Sequence, residues 1–535
     1  MRQVIITIAA VILVAGTVSS VTHGKTICVD ADAAGANNGT SWENAYKFLQ
    51  DALTDANSSE KPVEIHVGQG VYQPDRSSAE PNGTGDREAT FQLISGVTLK
   101  GGYAGFGQPD PNARDIALYE TILSGDLVGN DVDVDSALDL WHEPSRAENS
   151  YHVVTSSGTD ETAVLDGFTI TAGNADGSRL NAHDRGGGMY ISHADPNIIG
   201  CTFGKNSASY TGGGGIYSYE SSPTLRDCTF RTNIASFAGG GMFNISGSAK
   251  LSGCAFVDNL AYPVSTSGGV RAHYGGAIYG SSTGLILIGC SLTKNRTFLG
   301  GAIASRESLL VLHNCTLEAN IASSNGGGAI AQFENGLLEL RNCTFAGNVG
   351  KSTNAIGNLW DCAPCVVDVR DCIFADGGKE METQDLNDVV VSYSNVDGGW
   401  AGEGNINVDP CFADPGHWED PCNTPENVWD DVWIDGEYHL KSEAGRWDAN
   451  EGRWVIDEVT SPCIDAGDPM SPIGLEPFPN GGIINMGAYG GTAEASKSYF
   501  GEPLCETVVA GDVNGDCAVN FLDFHLMALH WMWED

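Results

Sequence analysis

Near the C-terminus, oxygen donors recur at the spacing of a single cation-binding loop. Asp512, Asn514, Asp516, Asn520 and Asp523 stand at loop positions 1, 3, 5, 9 and 12, and the carbonyl of Ala518 is available at position 7. A wrap of this kind gathers oxygens around one point, and calcium takes six to eight of them. The expected cofactor is therefore Ca2+. Two departures stand out: position 6, normally glycine, is Cys517, and only one such loop is present.

A second polar knot, His183-Asp184-Arg185, precedes a glycine turn. Asp184 and Arg185 are the candidate catalytic pair, weighed against a solvated salt bridge at a turn. Hydrolysis of a glycosidic bond needs two carboxylates flanking it. Elimination needs carboxylates to hold calcium and a basic residue to take a proton. Neither set recurs at aligned positions along the chain. The stretch from Tyr262 to Tyr274 adds Arg271, His273 and two tyrosines to a very acidic protein. Six of the 11 tryptophans, Trp400, Trp418, Trp429, Trp433, Trp447 and Trp454, fall in an acidic segment. Such rings offer apolar faces to sugars, with carboxylates for the hydroxyls. The competing reading is that they plug the far end of the preceding fold.

That preceding fold is written as a repeat. Cysteines recur at Cys201, Cys228, Cys254, Cys290, Cys315, Cys343 and Cys372, spaced 27, 26, 36, 25, 28 and 29 residues apart. An aliphatic residue lies three before each, from Ile198 to Val369, and Phe or Leu lies two after, from Phe203 to Phe374. Asparagine lies five after in six copies: Asn206, Asn233, Asn259, Asn295, Asn320 and Asn348. Glycine clusters such as Gly213–Tyr217 precede most copies. A period in the twenties with short strand-like runs is a solenoid signature, whereas a propeller expects longer repeats. Alternation at Cys-Thr-Phe fits a strand with one buried face. The asparagines are expected at left-handed corners, and stacked amides can bond up the stack. The expected fold is all-β, a parallel β-helix.

The glycine motifs followed by Phe-x-x-Asn (FGKN, FRTN, FVDN, FAGN) resemble the repeats of polymorphic outer-membrane proteins. More broadly the chain is similar to the right-handed parallel β-helix of pectate-lyase-like proteins, which implies that handedness here. The resemblance implies fold rather than activity, because this scaffold hosts lyases, hydrolases, adhesins and spacers. The C-terminal loop resembles an EF-hand, and more closely the calcium loop of a dockerin module. That resemblance implies a cohesin-like partner or retention at a surface. The stretches Tyr438–Leu440, Ser461–Asp468 and Asn485–Tyr489 resemble the closing segment of secreted bacterial β-helix proteins.

A net charge of −42, from 69 acidic and 27 basic residues, repels nucleic acid and anionic membranes. Met1–Gly24 reads as a secretory signal: Arg2, then an apolar run, then small residues. It is too short to favour a membrane span, and no second apolar run of that kind follows, so no transmembrane anchor is expected. Export permits disulfides. The seven repeat cysteines are read as free core thiols, with Cys505/Cys517 and Cys411/Cys422 as candidate pairs and Cys362/Cys365 as a loop clasp. The expected organisation is a signal peptide (1–24), an N-terminal cap (25–61) with a helix capped at Ser41, a β-helix (62–400), an acidic closing segment (401–500) and the calcium segment (501–535). Loops 73–88 and 127–149 are candidate binding faces, or tolerated insertions. The expected function is a secreted or cell-surface protein that binds polysaccharide or another surface glycan. A polysaccharide lyase or glycoside hydrolase, and an adhesin-like spacer, are the alternatives.

Overall fold

The computed structural model describes residues 24–262, 273–324, 326–358, 365–382, 389–422 and 430–499, with residues 519, 521 and 524. Among them the chain winds through four parallel sheets, one strand to each sheet per coil. One coil shows the order: Asn197–Ile199 in sheet 1, Thr202–Gly204 in sheet 2, Ser207–Ala208 in sheet 3 and Ile216–Tyr219 in sheet 4. The sheets hold 12, 11, 7 and 10 described strands respectively. Each strand pairs in parallel with its equivalents in neighbouring coils, about 4.8 Å away. This is a parallel β-helix.

Register carries the repeat into the core. Ile198, Leu225, Leu251, Leu287, Leu312, Leu340 and Val369 align strand on strand in sheet 1. Phe203, Phe230, Phe256, Leu292, Leu317, Phe345 and Phe374 do the same in sheet 2. The seven cysteines between them are buried free thiols. Burial pushes the Cys201 thiol up to about 12, so it serves as a small apolar filler. Phenylalanine rings stack face to face along the axis, with centroids 4.4 Å apart at Phe230–Phe256 and 4.6 Å at Phe345–Phe374. Each such pair adds about 0.5–1.5 kcal/mol beyond area burial.

The asparagines are not the corner residues that were expected. The left-handed residue is the one before each: Lys205, Thr232, Asp258, Lys294, Ala319 and Gly347. The asparagines themselves are buried and run as a ladder inside the turn. Each Nδ2 donates to the next Oδ1 at 2.9–3.1 Å and also to a backbone carbonyl of the preceding coil. Each Oδ1 also accepts a backbone N–H from the preceding rung. A buried turn thereby satisfies polar groups that water cannot reach. A second left-handed corner precedes every repeat cysteine, at Gly200, Asp227, Gly253, Gly289, Asn314, Asn342 and Asp371. Glycine, asparagine and aspartate tolerate that conformation best, which explains the restricted residue choice there.

Both ends differ from expectation. The first rung of sheet 1 is Lys25–Val29, paired with Val63–Gly68, so the expected cap already contains a coil strand. The helix spans Leu49–Ser58 and buries Leu49, Ala52, Leu53 and Ala56 against that first rung. It begins at Phe48 without a side-chain cap, and Ser41 instead caps a turn by accepting from the Asn44 N–H. The ladder ends on Asp376, whose Oδ1 accepts from Asn348 N (2.8 Å) and Nδ2 (3.0 Å). Asp376 stands beside Glu380. Burial and the neighbouring carboxylate hold Asp376 well above the usual range, and burial lifts Glu380 to about 7.

The acidic segment does not simply plug the solenoid. Trp400 packs on the end of the main core, but residues 410–422 and 430–499 fold back along the flank of the last coils. Asn314 Nδ2 donates to the Ala488 and Gly490 carbonyls, and Asn342 Nδ2 donates to that of Asn485. Asp371 accepts from Asp468 N at 2.6 Å, and Arg370 pairs with Asp468 at 2.7 Å. Glu318 Oε1 accepts from Trp433 Nε1, Tyr438 OH and Gly436 N. Trp418 donates to the Gly347 carbonyl, and Trp447 packs against Trp454. Of the described tryptophans of this segment, Trp433 is buried and Trp400, Trp418, Trp447 and Trp454 are half-buried. Cys411 and Cys422 are free thiols rather than a pair, while Cys365 is disulfide-bonded. No described helix is long and apolar enough to cross a membrane.

Two outcomes test this account. Asn259→Ala leaves Asn233 N without its acceptor, takes one of the two acceptors of Asn233 Nδ2 and removes the side-chain donor to the Phe230 carbonyl. At about 1–3 kcal/mol for each unsatisfied buried group, the variant loses on the order of 3 kcal/mol or more in urea unfolding; a loss under about 0.5 kcal/mol would remove the ladder from the stability argument. The second concerns pH. In the unfolded chain both carboxyls deprotonate near pH 4. Their folded values are raised, so their contribution is complete below about pH 4 and is lost as pH rises through about 7. Glu380→Gln keeps the acceptor that Asp376 N and Gly378 N use and removes the titration. Melting temperature from pH 5 to 8.5 falls less steeply in this variant, and equal slopes would refute the raised Glu380 carboxyl.

Candidate functional site

The loop between Leu127 and Asn149 docks across the flank of the solenoid. Its two 3-10 turns, Ala137–Trp141 and Pro144–Glu148, bury Ala137 and Leu140 on Ile234 and Leu260 of sheet 3. Ser136 caps the first turn by accepting from Leu138 N. Arg146 is buried and donates to the Gly173 carbonyl (3.0 Å) and to Ser207 Oγ (3.3 Å). Asn149 Nδ2 donates to the Ala172 carbonyl, and Lys205 pairs with Asp133. The insertion is therefore a built wall.

Where that wall ends, the outward residue of sheet 3 changes. Ile234, Leu260 and Arg296 share one register column. The first two lie under the loop, and Arg296 lies past its edge. Leu260 and Arg296 line a groove of about 700 Å³. Asp135, Leu138 and Tyr262 line it from the loops, and Asp258, Lys294 and Arg296 line it from consecutive coils. Asp258 and Lys294 occupy left-handed corners, which aim side chains outward from the turn. Desolvation raises the Asp258 carboxyl, opposed by the charges of Arg296 and Lys294, while part of the side chain stays exposed to solvent. Lys294 also pairs with Asp435 at 2.8 Å. The groove thus offers carboxylates, cations and an apolar floor within a few coils. Such a set can bind hydroxyl-rich or charged ligands.

The expected catalytic pair lies elsewhere. Asp184 is fully buried, 2.7 Å from Arg185 Nε and 2.6 Å from Thr211 Oγ1. Arg185 stacks over the Tyr217 ring, at 5.3 Å. Asp184 is buried and Arg185 half-buried, and through Thr211 the pair joins neighbouring coils at a turn. Tyr262 reaches the groove. His273 is buried, desolvation lowering its imidazole; Arg271 lies outside the described residues. Asp512, Asn514, Asp516, Ala518, Asn520 and Asp523 all lie outside them too, as do Met1–His23, Cys362, Cys505 and Cys517. Asp258, Lys294 and Arg296 were not singled out from sequence. The available signal was two basic residues around one ladder asparagine, Asn295, in a chain with 27 basic residues in all.

A family model described as "Right handed beta helix region" matches residues 159–359, and one described as "Disaggregatase related" matches residues 386–467. Solved structures similar to this chain include a pectate lyase, Pel9A, at 12% identity and a TM-score of 0.44, covering 87% of this chain and 96% of that one. A rhamnogalacturonan lyase follows at 11% and 0.38, covering 73% and 91%. A GH136 lacto-N-biosidase from Eubacterium ramulus gives 9% and 0.24, covering 72% and 68%. No curated protein sequence matches. The family match and the strand registers together make the chain a parallel β-helix protein.

Proposed function

We propose that this is an exported β-helix protein that binds polysaccharide along its flank, in the groove between the 127–149 wall and the coil corners at Asp258, Lys294 and Arg296. The groove carries this reading: it joins apolar surface at Leu138, Leu260 and Tyr262 to paired acids and bases. Sugar rings present apolar faces and hydroxyl edges, and this lining answers both. The apolar run and small residues of Met1–Gly24 support export to the cell exterior. The oxygen spacing from Asp512 to Asp523 supports a calcium-bound, dockerin-like tail that attaches the protein to a cohesin-like partner or a surface.

A lyase or hydrolase acting in the same groove is the second reading. It is favoured by one observation, the raised carboxyl of Asp258 beside two cations. Perturbed carboxyls in clefts are candidates for proton transfer.

A glycan array with the full-length chain tests the proposal. Lys294→Ala and Leu138→Asp are expected to weaken binding of the best glycan about tenfold or more, the scale of one lost charge-assisted hydrogen bond. Unchanged binding by both variants would remove the groove from the function. Reducing sugar or unsaturated product, abolished by Asp258→Asn, would replace binding with catalysis.

A further inference from the structure

The wall that borders the groove is anchored by a cluster with an unmet electrostatic demand. Asp126, Asp131 and Glu148 each bring one carboxylate oxygen within 4.8 Å of the others. Asp126 is held in place by backbone donors, Oδ1 accepting from Gly129 N and Asn130 N and Oδ2 from Asp131 N. Asp131 Oδ2 accepts from Asn149 Nδ2 at 2.8 Å and lies 3.5 Å from Arg146 Nη1. Three carboxylates and one guanidinium leave two negative charges.

A second observation is independent of the acid count. Asn149 is wholly buried, and its head group reaches into the cluster through Nδ2; its Oδ1 accepts no hydrogen bond. Asp131 Oδ1 and Glu148 Oε1 are likewise buried oxygens without a donor. Three acceptors left bare in one small region cost several times the penalty of one. A divalent cation held by the three carboxylates answers the bare acids and neutralises the remaining charge. The candidate donors are all oxygens, which selects a hard cation over zinc or copper.

We propose that Asp126, Asp131 and Glu148 bind a calcium ion that locks the 127–149 loop against the solenoid. The site is separate from the 512–523 loop, and it stands whatever the groove binds. It joins the two ends of the insertion: Asp126 precedes the loop and Glu148 closes it. Calcium therefore ties the wall at its base.

The test uses the full-length chain stripped with a chelator, with calcium as the probe. Asp512→Asn combined with Asp516→Asn silences the tail loop, so calorimetric stoichiometry then counts this cluster. That chain is expected to bind one calcium, with a rise in melting temperature of several degrees and slower proteolysis between residues 127 and 149. Adding Asp131→Asn should abolish the binding and the protection. Glu148→Gln, which leaves the Asp131–Arg146 pair in place, should weaken binding at least tenfold and decides the matter if Asp131→Asn does not fold. No calcium heat in the tail-silenced chain, or equal binding after Glu148→Gln, would overturn the proposal.

Discussion

A coil of this chain has an interior only when other coils lie above and below it. Its strands are as short as two residues and cannot satisfy their own backbone groups. Its apolar residues number a few per turn and cannot enclose themselves. Stacking resolves both demands at once. Parallel pairing satisfies the strands, Leu, Cys and Phe build a continuous core, and the asparagine ladder satisfies the turn where no strand runs. The ladder is the least replaceable part, since its amides serve side-chain and backbone partners in adjacent coils together.

This constraint also decides where binding can occur. Among the described residues the interior is filled by buried side chains. Ligands must meet the flank, and there a β-helix presents columns of equivalent positions. The corner before each cysteine shows how a column is used. In three coils it is glycine. At Asn314, Asn342 and Asp371 its side chains hold the returning C-terminal segment. The corner before each asparagine is a second column, and there Asp258 and Lys294 face the groove. The scaffold supplies repeated outward positions, and a change of residue type along a column marks where something docks.

The periodic parts were legible because they are local. Ile198 to Val369, the cysteines, and Phe203 to Phe374 read correctly as inward stacks, since a period of two within each strand fixes the face. The asparagines read correctly as a stack but wrongly as corners. Asparagine tolerates both roles, and only the coil geometry assigns the strain to the preceding residue, even to Thr232. The tryptophans were misplaced because their partners, Glu318 and Gly347, lie far away in sequence. Asp184 looked exposed beside a glycine turn, yet the neighbouring coil covers it through Thr211.

What the sequence determined unaided was the stack: its period, its inward residues and its all-β class, because each follows from spacing inside one coil. What only the tertiary structure decided was the flank. The returning segment, the 127–149 wall and the groove depend on contacts between residues tens to more than a hundred positions apart. No periodicity encodes such contacts, since each occurs once and its partner can be chosen only after the coils have stacked.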